Sequence, residues 1–181
     1  MLKIKPLFEN VLIAMRVYYF TLAALINIFG IGQIKNYTLG FKPAYISIAT
    51  IFSGMDYRYA LLISSLIVVL TCFIAALKVS WRWPRLFVFL SLFLFAAVAN
   101  STGGATHLYQ FWLWSSFVLA WAPSFIGTCN RHTQMRYLLS WWGAQSIVLL
   151  MYGLSGFWKV IGGIVQLYNN QNHFLAPKGL S

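Results

Sequence analysis

Five apolar runs account for most of this chain: residues 11–30, 59–77, 84–99, 108–126 and 137 to about 161. A helix needs about 20 predominantly apolar residues to cross roughly 30 Å of hydrocarbon, so each run is a candidate crossing, with the third the shortest. Only 8% of the residues are charged and 60% are hydrophobic, whereas soluble domains are about one quarter charged. The expected fold is therefore all-α: a polytopic membrane helical bundle of about five transmembrane helices, formed as a single transmembrane domain over residues 1–181. The opening "MLKIK" followed by an apolar stretch resembles a signal peptide, but the run is long and lacks a small-residue cleavage site, so it reads as a retained anchor. Between the first two runs, "FKPAYISIATIFSGMDYR" mixes Ser and Thr with apolar residues behind Pro43, which suits a short helix lying in the interface.

The net charge of +11 comes from thirteen Lys and Arg against two acids, Glu9 and Asp56. The cations are scattered between apolar runs and form no stripe that could follow a phosphate backbone, so nucleic acid is not an expected partner. Their distribution instead sets orientation, because Lys and Arg near span ends favour the cytoplasmic side. With the N-terminus inside, Lys3, Lys5, Arg16, Lys78, Arg82, Arg85, Arg131 and Arg136 fall inside, and Lys35, Lys42, Arg58 and Lys178 fall outside. That bias gives an N-in, C-out topology. Trp81, Trp83, Trp141 and Trp142 flank span ends, where indole rings anchor a helix at the interface.

The thirteenth cation, Lys159, lies within the fifth run in "MYGLSGFWKVIGG". A charge at the bilayer centre costs about 2.5–3.5 kcal/mol on insertion scales. Lys159 is some twenty residues into its run, toward the outer end, where a lysine can also snorkel its ammonium to the interface. Steps of seven residues along one helical face join Gln145, Tyr152, Lys159 and Gln166, with Leu149, Gly156 and Gly163 between them. Polar and small residues on one face predict that this face points into the bundle and admits a neighbouring helix. At the same outer level the sequence places His107 and Tyr109 in "NSTGGATHLYQFW", together with Asn27, Asp56 and Arg58. Lys159 and His107 are the candidate catalytic pair, and Tyr109, Tyr152, Asn27 and Arg58 the candidate ligand-binding residues. Cys72 and Cys129 give no disulfide framework. "CNRH" brings Cys129 near His132, but two ligands do not make a metal site, and none is expected. "NYT" at Asn36 and "NST" at Asn100 match the glycosylation pattern, which matters only in a secretory pathway.

"THLYQFWLWSSFVLAWAPS" followed, after a basic loop, by "YGLSGFWKVIGG" resembles the membrane core of the vitamin K-dependent gamma-carboxylase and the related bacterial HTTM family. DoxX-like small membrane proteins carry a similar glycine-and-lysine helix. The resemblance implies an outer-leaflet pocket for a quinone or similar lipid-soluble ligand, with Lys159 as base and His107 in support. It also implies a reduced quinone as possible cofactor and the bacterial inner membrane as location. A lysine in a low-dielectric pocket can serve as a base because burial lowers its pKa. This chain has Trp158 where the carboxylase element has a second lysine, and "VIGGIVQ" where acidic and tryptophan residues follow. It also ends on "FLAPKGLS", without the large extracytoplasmic portion that engages the protein substrate. Carboxylation of protein glutamate is accordingly not implied, and the chain is expected to be an N-terminal fragment or a subunit of a larger assembly. The alternative function is a non-catalytic subunit of a membrane complex or a homo-oligomer, in which Lys159 pairs with a partner's acid and the glycine faces are helix contacts.

Overall fold

The computed structural model describes residues 4–36, 47–102, 109–125 and 129–168. The described residues form five α-helices: α1 (Ile4–Asn36), α2 (Tyr57–Leu77), α3 (Arg82–Ala99), α4 (Gln110–Ala120) and α5 (Arg131–Tyr168). Local chemistry sets several of their ends. Asp56 caps α2 by accepting a hydrogen bond from the Arg58 backbone N–H at 2.8 Å, which satisfies one of the donors a helix start leaves open. Gly54, at φ +93°, makes the turn before that cap in a conformation side chains disfavour. Pro84 lies in the first turn of α3, where its missing N–H costs nothing. Asn130 starts α5 by accepting from the Thr133 N–H at 2.8 Å. α4 stops three residues before Pro123, the residue preceding a proline being pushed out of helical conformation.

Successive helices run antiparallel, and ring contacts fix their registers. Phe20 of α1 lies against Phe73 of α2 at 5.5 Å. Phe89 of α3 lies against Phe117 of α4 at 5.1 Å, and Phe95 against Tyr109 at 5.2 Å. Phe111 of α4 meets Tyr152 of α5 at 5.8 Å. Phe8 of α1 closes the arrangement against both Tyr137 of α5 and Phe125. The bundle thus has a near end, where α1, α3 and α5 begin, and a far end, where α2 and α4 begin. One core joins all five helices through Met15, Tyr19, Ile26, Leu61, Val68, Leu92, Phe95, Leu119 and Tyr137.

Four helices are long and apolar enough to cross a membrane: Lys5–Gly32, Tyr57–Leu77, Arg82–Ala99 and Arg131–Val165. The fourth expected span differs. α4 has 11 residues, about 16 Å at 1.5 Å per residue, against roughly 30 Å of hydrocarbon. It runs beside α3 from the level of Phe95 to that of Arg82, whose backbone N–H donates to the Ser124 hydroxyl at 2.8 Å. The described part of the first connection holds a short 3-10 helix, Ile48–Phe52, which buries Ala49 and Phe52 and exposes Ile51. Pro43 lies outside the described residues.

The glycine stripe of α5 also differs from expectation within this chain. A Cβ added at Gly156 or Gly163 meets nothing within 4 Å. Close approach occurs instead at Gly143, whose Cβ would lie 3.3 Å from Cγ1 of Val118 in α4, and at Gly30, facing Ser65 of α2 at 3.5 Å.

Candidate functional site

α5 carries the expected catalytic lysine, and its 38 residues reach about 57 Å, twice the roughly 27 Å of α3. Only 6% of the most apolar stretch of α5 is buried, against 33–44% in the other three long helices. Leu149, Leu150, Leu154, Phe157, Trp158 and Val160 are all exposed. Lys159 is exposed among them and forms no hydrogen bond or ion pair among the described residues. Tyr152 is level with Phe111, and Lys159 stands about 10 Å further along, at the height where α3 gives way to Asn100. It is thus at the far end of the bundle, on a helix that continues beyond its neighbours.

His107 lies outside the described residues. Asn27 and Arg58 are exposed, on α1 and α2. Tyr109 is 2% exposed, in an aromatic cluster with Phe29, Phe95 and Trp112. Tyr152 is 63% exposed, with one ring contact to Phe111 of α4. Around Lys159 the described residues form no enclosing wall for a quinone.

The strongest polar constellation is at the opposite end and centres on Arg85, which is fully buried. Its guanidinium donates to the carbonyls of Val79 and Ala122 and to the Tyr137 hydroxyl. A fourth bond goes to the Pro123 carbonyl at 3.3 Å. Tyr137 in turn donates to the Val79 carbonyl at 2.8 Å, and its ring lies 5.1 Å from the guanidinium carbon. Val79 follows the end of α2, and Ala122 and Pro123 follow the end of α4. Helix C-termini carry partial negative charge and free carbonyls, so two of them together replace the carboxylate that a buried guanidinium usually requires. Nε of Arg85 has no hydrogen-bond partner among the described residues. A guanidinium stays protonated in proteins, so Arg85 cannot act as a base. What it does is clamp the α2–α3 turn to the segment between α4 and α5.

By the orientation rule Arg85 is one cytoplasmic charge among eight. The signal for its burial lies in α3 itself: residues 85, 88, 92, 95 and 99 follow helical steps, and all are buried. An arginine in register with that stripe must enter the core.

Further polar groups cross the core at mid-height. The Tyr18 hydroxyl lies 3.0 Å from that of Ser116, and Thr71 is 2.8 Å from Ser91. The Tyr19 hydroxyl is buried without a hydrogen-bond partner among the described residues, within electrostatic reach of Arg85 and Tyr137. These bonds tie α1 to α4 and α2 to α3, a use of hydroxyls suited to helices whose surroundings offer no water. No family model, curated protein or solved structure was found to match the chain.

Proposed function

We propose that this chain is a membrane-embedded subunit of a larger complex, and that the outer half of α5 is the helix on which its partner docks. The single observation that carries this reading is the exposure of α5 over every residue from Tyr152 to Val160, more than two helical turns, including Gly153 and Gly156 where a partner backbone could approach closely. Lys159 sets the chemistry of the partner. The chain has only two acids, and Asp56 is occupied in capping α2. The matching group is a carboxylate on another helix at the same depth. The membrane reading keeps the five expected crossings, with the N-terminus inside and the near end of the bundle at the cytoplasmic face. A bacterial inner membrane is the setting proposed.

The test is assembly. In membranes, chemical cross-linking or blue-native electrophoresis of the chain should report a species larger than the monomer. Lys159→Met should reduce it while leaving the monomer folded, and Lys159→Arg should retain it, because charge alone is required. Equal assembly by wild type and Lys159→Met removes the paired-lysine reading.

A second reading follows the resemblance to the gamma-carboxylase and HTTM core: Lys159 and His107 flank an outer-leaflet pocket for a quinone-like ligand. The aromatic cluster of Phe29, Phe95, Tyr109 and Trp112 favours it: it lies at the far end, two residues in sequence from His107, and its rings, now buried on one another, would part to admit a planar ligand. Here Lys159→Arg would lose ligand binding, measured by quenching of tryptophan fluorescence with a soluble quinone, whereas the subunit reading expects no such loss.

A further inference from the structure

The near end concentrates positive charge beyond what any topology rule requires. Lys78, Arg82 and Arg85 fall within eight residues, and the fold draws them into one junction between the α2–α3 turn and the segment after α4. The junction is built from both sides: Phe125 donates its backbone N–H to the Ser80 carbonyl at 3.1 Å, and Arg82 donates its own to Ser124. The Arg82 guanidinium carbon is 4.6 Å from the centre of the Trp121 ring, and Lys78 Nζ is 5.5 Å from that of Trp81. Behind them Arg85 is buried on the carbonyls of the same two segments, with Nε unbonded among the described residues. Lys5, Arg131 and Arg136 are exposed near the helix starts at the same end. Asp56 is at the opposite end of α2, about 31 Å away along 21 residues. Glu9 follows Phe8 on α1 at the near end, but it forms no ion pair with these cations among the described residues.

We propose that this junction binds the phosphate of an anionic phospholipid, held by Lys78 and Arg82. Its chemistry fits an amphiphile better than a free ion. The cations are flanked by the exposed rings of Trp81, Trp83 and Trp121 and by exposed Leu77 and Phe87, which suit the glycerol and upper acyl region at an interface. Basic pockets between transmembrane helices on the cytoplasmic side are suited to such head groups. Arg82 is already ordered by its ring stack and its backbone bond to Ser124, so less side-chain freedom is lost on binding. The permanent charge of Arg85 beneath the junction adds a favourable field, with no ion pair to Arg85 among the described residues.

The test compares purified chain in nanodiscs or detergent with phosphatidylglycerol, with phosphatidylcholine and with inorganic phosphate. Native mass spectrometry should retain phosphatidylglycerol over phosphatidylcholine by about thirtyfold, in keeping with roughly 1 kcal/mol for each of Lys78 and Arg82. The double variant Lys78→Gln, Arg82→Gln should lose that preference with its circular dichroism unchanged. Arg82→Lys should keep most of it. Equal retention of the two lipids by wild type, or a preference that survives the double variant, overturns the proposal. Thermal stabilisation by inorganic phosphate equal to that by phosphatidylglycerol also overturns it, assigning the junction to a free anion.

Discussion

Arg85 illustrates how a charge is tolerated where no opposite charge exists. Removing one partner of a buried charge is more damaging than removing a surface pair, because the remaining groups keep their desolvation cost without their bond. Arg85→Leu leaves the carbonyls of Ala122 and Pro123 without this donor and Val79 with Tyr137 alone, and Arg85→Lys keeps the charge but offers a single ammonium where a planar fork served several acceptors. Each substitution is expected to lower stability in detergent by about 2–4 kcal/mol, read from thermal melts. Tyr137→Phe preserves the ring against Phe8 and Phe125 and removes only the hydroxyl, so about 1 kcal/mol is expected. A variant Arg85→Leu as stable as wild type would show that the clamp contributes nothing. The residue was legible in the sequence, given its register with Val88, Leu92 and Phe95. It was obscured because an arginine near a span end is also what the orientation rule places at the interface, and the two roles differ only by which side of the helix faces the core.

At the scale of elements, four of the five expected crossings coincide with long apolar helices, since lipid demands length and apolarity and both are written directly in the composition of a segment. α4 shows the limit of that reading. Its apolar run covers residues 108–126, but Trp121 to Phe125 leave the helix to supply the carbonyls that hold Arg85, and hydropathy does not distinguish a helical carbonyl from a free one. The glycines of α5 show another limit. A stripe of small residues says that one face differs from the rest, without saying what lies against it; Gly143, outside the stripe, is the one that touches a neighbour. Gly143→Leu is therefore expected to destabilise the isolated chain by about 1–3 kcal/mol through overpacking against Val118. Gly156→Leu should leave the melting temperature of the monomer unchanged and weaken only the assembled species. The opposite ranking in a detergent melt would mean that α5 packs differently from the structure described here.

For the whole molecule, the fold gathers the starts of α1, α3 and α5, with Lys5, Arg82, Arg85, Arg131 and Arg136, at one end. This makes the charge bias of the sequence a property of one surface, and the proposed topology puts that surface in the cytoplasm. The chain carries its own probe there. Cys129, between α4 and α5, is partly exposed, while Cys72 is buried in the core. Partial burial raises the Cys129 thiol above its ordinary pKa, and a hydrogen bond with Thr133 opposes that shift. Because the thiolate is the reactive form, maleimide labelling of Cys129 should be slow at neutral pH and accelerate as pH rises toward and beyond the ordinary thiol range. In sealed inside-out vesicles, whose exposed face is the cytoplasmic one, Cys129 should react with a membrane-impermeant maleimide. In intact right-side-out spheroplasts it should not. A cysteine at Ser101, which follows α3 at the far end and whose hydroxyl bonds back to Ala97, should show the reverse. Running both sites in a single chain guards against leaky vesicles, since leakage labels the two together. Labelling of Ser101→Cys from the cytoplasmic side alone would invert the topology, moving Lys159 to the inner leaflet and the Arg82 junction to the outer one.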